Sequence, residues 1–272
     1  MNDSGWRYSW EAWAEKSDYG PDIRQHKEER QPLYRLLLDS LRAAPGRPIR
    51  VLEVGCGTAI DCHLLAQDTR VQATALDRSI QSIQIARKIA NGFPHSAKLL
   101  VGDASHLCFP DETFDLVFSQ GLLEHFRNPR PLLLEQARVL KRSGSLIVDV
   151  PQTFAGFGLY SLRKQWKIRQ GKWPWGWETQ YSYPQLKRLG RSAGLVSADV
   201  VGYGYDGLLS LFAQPHVMID KWPLPSRLRI AQAAKRLYLK YLRQHNEQLW
   251  AWISRRFGHW LLICIAVRFR KR

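Results

Sequence analysis

Residues 51–58 read Val-Leu-Glu-Val-Gly-Cys-Gly-Thr, an apolar run that passes directly into a glycine turn. Val51, Leu52 and Val54 have the character of a parallel strand covered on both faces. Gly55 and Gly57 lack a Cβ, so the backbone can turn tightly there and approach a ligand closely. A second apolar run, Val71 to Leu76, ends at Asp77, 20 residues after Gly57. That spacing sets a carboxylate beside the glycine turn, where it can accept both hydroxyls of a ribose. A strand, a glycine turn, a helix and a second strand ending in an acid predict an α/β domain. Such a domain holds a nucleoside-containing cofactor at the carboxyl ends of its strands.

The dinucleotide fingerprint G-x-G-x-x-G is not met, because its third glycine would fall at Ile60. Glu53, Gly55 and Gly57 instead resemble motif I, E-x-G-x-G-x-G, of class I S-adenosylmethionine-dependent methyltransferases, with Ala59 in place of the last glycine. Further along stand Gly102-Asp103-Ala104, Phe114-Asp115-Leu-Val-Phe-Ser119, Leu123-Glu-His125 and Arg138-Val-Leu-Lys141 with Gly144. In this order and spacing they resemble the small-molecule methyltransferase family that includes ubiquinone- and menaquinone-type enzymes. The likeness is strong over about residues 48 to 150 and weaker over 178 to 201.

The resemblance implies a Rossmann-like, seven-stranded, mostly parallel sheet with helices on both faces. Its last strand would run antiparallel between the fifth and sixth. The cofactor implied is S-adenosylmethionine, with S-adenosylhomocysteine as product. On this chain Gly55 and Gly57 would bring the backbone against the methionine and ribose, and Asp77 would bind the ribose hydroxyls. Asp103, with Ala104 beside it, would accept the adenine amino group, and Gln120 and Gly121 would line the sulfonium end. Cys56 and Arg78 complete the expected cofactor set, while Glu53 is expected to anchor the glycine loop through backbone N–H groups.

The strand and helix signals divide the chain into an N-terminal extension, 1–47, and a domain, 48–272, with insertions at 151–180 and 203–259. In the extension a helix is expected from about His26 to Ala43, with Leu33, Leu36, Leu37 and Leu41 as its apolar face. Strands are expected over 99–103, 111–119, 145–150, 196–201 and 260–269, with Ser79 capping the second helix. The first insertion is rich in aromatic residues and reads as a lid over an apolar or planar acceptor, with Trp175, Glu178 and Tyr181 as candidate substrate contacts. Trp6, Tyr8, Trp10, Trp13 and Tyr19 form a second aromatic group near the start.

Methyl transfer asks mainly for in-line positioning and exclusion of water. A base is needed only for an acceptor that is protonated near neutral pH, and His125, which titrates in that range, is the first candidate. Its adjacent Glu-His pair is equally readable as scaffold.

Charge is placed unevenly. The chain carries +16, and residues 216 to 272 hold 13 Lys and Arg against Asp220 and Glu247, leaving +5 on the other 215 residues. From Ser226 to about Phe257 apolar residues recur at helical spacing, with Arg229, Arg236, Lys240 and Arg243 forming a cationic stripe. Such a helix either lies on an anionic membrane or packs on the domain with its basic side in water. The four cysteines show neither a C-x-x-C pair nor metal-ligand spacing, so no metal is expected and a reduced, cytoplasmic setting fits. Residues 1–13 lack the apolar core of a signal peptide, and the longest apolar run, Trp260 to Val267, is eight residues. A spanning helix needs roughly 20.

Taken together these features lead to an expected methyltransferase acting on O, N or C of a small or lipid-like molecule, placed in the cytoplasm or peripherally on the inner membrane surface. An RNA methyltransferase using the basic segment is the alternative, although no RNA-binding module is recognisable. A catalytically silent cofactor-binding partner subunit is the other.

Overall fold

The computed structural model describes residues 31–155, 159–173, 176–204, 256 and 262–271. The N-terminal aromatic group, Trp175 and the basic segment 226–257 lie outside the described residues, Arg256 excepted. Helix α1 spans Gln31–Ala43, and the expected leucines at 33, 36, 37 and 41 are all buried. Their spacing of three to four residues puts them on one stripe, which packs onto the sheet.

The chain then alternates between strand and helix: β1 (Ile49–Val54), α2 (Ile60–Leu65), β2 (Val71–Asp77), α3 (Ile80–Ala90), β3 (Lys98–Val101), β4 (Phe114–Gln120), α4 (Arg130–Val139) and β5 (Leu140–Pro151). After these come α5 (Leu159–Arg169), α6 (Tyr183–Ser192), β6 (Leu195–Tyr203) and β7 (Cys264–Lys271). The seven strands form one sheet in the order β3-β2-β1-β4-β5-β7-β6. Strands β1 to β5 pair in parallel, and β7 runs antiparallel between β5 and β6, as the family resemblance implied.

Alternate residues of each central strand feed opposite cores. Val51, Leu116, Phe118 and Ile147 pack with α1 and α3 on one face. Leu52, Val54, Val117, Leu146 and Val148 pack with α4 and α6 on the other. Two covered faces explain why these strands read as continuous apolar runs. Buried Asp115, in β4, accepts the Arg50 N–H at 2.9 Å and pairs with Lys141 Nζ at 2.8 Å, tying β1, β4 and β5 together.

Several boundaries differ from expectation: the third strand ends at Val101 and the last runs Cys264–Lys271 rather than 260–269. The fourth strand starts at Phe114, because Asp111–Thr113 form a turn in which Glu112 has φ 52°. Arg138 braces that turn through Asp111 and the Phe109 carbonyl, both at 2.8 Å. Strand β5 begins at Leu140, immediately after α4, and the β4–β5 register then shifts between the Phe114 and Leu116 pairings. The aromatic insertion, expected as a loop, contains α5.

His63, fully buried in α2, accepts the Ala97 N–H on Nδ1 at 3.1 Å and donates from Nε2 to the Ala86 carbonyl at 3.2 Å. Burial, the larger cause, lowers its pKa below the ordinary 6.5. The unfolded chain therefore takes up this proton first as pH falls, so the His63 contribution is present above about 6.5 and is lost below it. Urea unfolding at pH 7.5 and 5.5 should show lower stability at the acid pH, and His63→Gln should reduce that difference.

Candidate active site

The strand order reverses direction beside β1, which leaves a crevice at the carboxyl ends of the strands. A cavity of about 930 Å³ opens there, bordered by the segments after β1, β2, β3, β4 and β5. Its first corner is the glycine turn. Gly55 and Cys56 donate their N–H groups to the Leu76 carbonyl at 2.8 and 3.0 Å, which holds the turn against the end of β2. Gly55 has φ 69°, and a Cβ there would sit 2.7 Å from Leu122 Cδ1. Gly57 has φ 51° and donates its N–H to Asp77 Oδ2 at 2.9 Å, while Asp77 Oδ1 accepts from Ser79 N at 2.9 Å. Burial is the main influence on Asp77 and raises its pKa, opposed by those two backbone hydrogen bonds.

Ala59 stands where the motif has its last glycine, and its φ of 53° shows why glycine suits the position. The left-handed region costs a residue with Cβ roughly 1–2 kcal/mol. Glu53, at the end of β1, accepts the Cys62 N–H at 3.2 Å and so ties the strand to α2. Burial, with Glu53 second, pushes the Cys56 and Cys62 thiols well up, which keeps both protonated.

All nine residues expected to contact the cofactor line this cavity: Glu53, Gly55, Cys56, Gly57, Asp77, Arg78, Asp103, Ala104 and Gln120. Asp103 also closes its own turn by accepting the Ser105 N–H at 2.8 Å. Gln120 donates to Asp61 Oδ2 at 2.8 Å, a bridge between β4 and α2 that the motif reading did not include. Ile80, 58% exposed, adds an apolar wall between Arg78 and Ala104.

The opposite end of the same cavity is built by the turn Leu123–His125, the end of β5, α5 and the remainder of the insertion. His125 lines it, and its Nδ1 lies 3.3 Å from the Trp177 carbonyl. A carbonyl can only accept, so Nδ1 carries the proton and Nε2 is the basic nitrogen. Burial is the first cause of the lowered His125 pKa. Glu178, an expected substrate contact, lines the cavity as well but is paired with buried Lys164. Tyr181 packs in the core with Leu186 and Val150 and is not among the lining residues.

Sequence reading missed several side chains here. Asp149 lines the cavity and accepts from the Tyr203 hydroxyl at 2.6 Å. A lone acid inside the apolar run Leu146 to Val150 was an available signal for it. Lys164 sits with its ammonium 5.0 Å from the Trp173 ring centroid, and Glu124 is buried beside His125. Nothing in local sequence distinguishes Lys164 and Glu124 from surface helix and turn residues.

Residues 52–148 match the family model described as a methyltransferase domain. Over those residues the chain resembles that family. Over 101 residues it is 36% identical to phosphatidylethanolamine N-methyltransferase of Cereibacter sphaeroides, covering 36% of this chain and 49% of that protein. Over 135 residues it is 31% identical to demethylmenaquinone methyltransferase of Renibacterium salmoninarum, covering 50% and 54%. The chain thus spans about half the length of these curated relatives. A SAM-dependent methyltransferase structure from Thermotoga maritima superposes with a TM-score of 0.55 at 19% identity, covering 92% of this chain and 96% of that one. At that identity the likeness concerns the fold.

The two left-handed positions respond oppositely to a methyl group. Gly55→Ala should lose roughly 2 kcal/mol of stability, from strain plus the Leu122 clash. Ala59→Gly should gain up to about 1 kcal/mol. Urea midpoints of the two variants, measured beside the parent, check both signs.

Proposed function

We propose that this chain is an S-adenosylmethionine-dependent methyltransferase acting in-line on O, N or C of a small-molecule or lipid-like acceptor. One observation carries the reading: a single cavity joins the glycine turn and Asp77 at one end to a walled polar compartment around His125 at the other. It provides adjoining places for a nucleoside cofactor and for a second molecule. The relatives that methylate phosphatidylethanolamine and demethylmenaquinone support an acceptor of this size class.

The residues fit the cofactor. Leu122 packs against Gly55 where a Cβ would stand, and Gly55, Cys56 and Gly57 border the cavity. Asp77, positioned by two N–H groups, presents its carboxylate for ribose hydroxyls, while Asp103, Ala104 and Ile80 frame a planar base. Bound there, S-adenosylmethionine supplies an electrophilic methyl group on a sulfonium that is already a good leaving group. The protein's part is to orient the acceptor and exclude water. The buried side chains at the His125 end serve that exclusion. For an acceptor that must lose a proton, His125, whose pKa burial lowers, offers an imidazole as base.

Calorimetric titration with S-adenosylmethionine, S-adenosylhomocysteine and NAD is the direct test. Micromolar binding of the first two and none of NAD is expected, with at least a tenfold loss in Asp77→Ala. Absence of binding by both adenosyl ligands to folded protein would overturn the assignment.

A further inference from the structure

We infer that the acceptor carries a protonated amine, held at the Glu124–Asp149 end of the cavity against the Trp173 ring; this deepens the methyltransferase reading and rests on it. The first support is charge. The chain has 40 Lys and Arg against 24 Asp and Glu, yet seven carboxylates line this cavity beside two basic side chains, Arg78 and Lys164. A strongly basic protein that gathers acids into one buried cavity is arranged for a cation there.

The second support is local. The acids nearest the glycine turn have protein partners: Cys62 N for Glu53, Gln120 for Asp61, Gly57 N and Ser79 N for Asp77. At the other end Lys164 pairs with Glu178, and the Tyr203 hydroxyl serves Asp149. Glu124 is 3% exposed, it lines the cavity, and its Oε2 has no hydrogen-bond partner among the described residues. A buried carboxylate oxygen left in this way is costly unless a ligand completes it. Burial first, with the neighbouring Glu178 and Asp149 charges, pushes the Glu124 pKa well above the carboxylate range, opposed by a hydrogen bond from its own backbone and by Lys164. One arriving cation relieves both the desolvation and the repulsion.

The aromatic partner is in place too. The Lys164 ammonium lies 5.0 Å from the Trp173 ring centroid, so an indole that already accommodates an ammonium stands in the cavity wall. Carboxylates on one side and an indole on the other is a combination that selects ammonium over neutral or anionic groups.

The test compares probes of one shape and different charge. Protein saturated with S-adenosylhomocysteine is titrated calorimetrically at pH 7.5 with N-methylbenzylamine, benzyl methyl ether and phenylacetate. The amine is expected to bind at least tenfold tighter than the ether, and phenylacetate more weakly still. Glu124→Gln should cost the amine about tenfold and leave S-adenosylhomocysteine affinity unchanged, with Asp149→Asn as an independent second variant. The inference is overturned if the amine does not bind, if the ether or the acid binds as well, or if neither variant weakens the amine. Failure of S-adenosylhomocysteine to bind strikes the cofactor reading instead. The same amine and ether titrations on the free protein then decide the acceptor class by the same criteria.

Discussion

The site depends on how the end of β1 is fastened to the end of β2. Leu76 accepts two N–H groups from the glycine turn, and Asp77 accepts a third from Gly57. These bonds hold a backbone that passes through left-handed φ at residues 55, 57 and 59 within five positions. Left to itself such a segment would relax, because each non-glycine left-handed residue is unfavourable. The parallel pairing of β1 with β2 brings the two strand ends level, and the carboxylate then serves as an internal template for the turn. Asp77 also lines the cavity, so the group that shapes the turn is also the one proposed to meet a ribose.

Much of this was legible in the sequence because it is local. The glycines, the acid closing β2, the Ser79 cap and the glycine at 194 after α6 each act within a few residues of where they stand. Ser79 Oγ accepts the Ser82 N–H at 3.2 Å, and Gly194 has φ 75°. The buried strands were equally readable, since cover on both faces leaves no polar alternation. Boundaries went astray where distant partners decide them: the β4 start depends on Arg138 bracing Asp111, 27 residues away.

The acceptor end shows the other limit. Its side chains come from the turn after β4, from β5, from α5 and from the stretch before α6, and only tertiary packing brings them together. His125 drew attention because imidazole titrates near neutrality, whereas Glu124 entered only as part of a Glu-His pair readable as scaffold. Burial acts on both: it lowers the histidine pKa and raises that of the glutamate well above its ordinary value.

Strand β7 has a consequence for how the molecule is assembled. Among the described residues, strand β6 hydrogen-bonds to no strand but β7, which reaches it from more than 60 residues further on, between Tyr203 and Cys264. Until residues 264–271 arrive, β5 offers an open edge and β6 has nothing to join. Strands β1 to β5, and with them the cofactor corner, are complete by Pro151, whereas the wall that carries Tyr203 waits for a second long-range closure. Such closures are slow compared with local pairing. A ribosome would therefore present a half-sheet with an unpaired edge, the arrangement most prone to pairing with another chain, until synthesis passes residue 271.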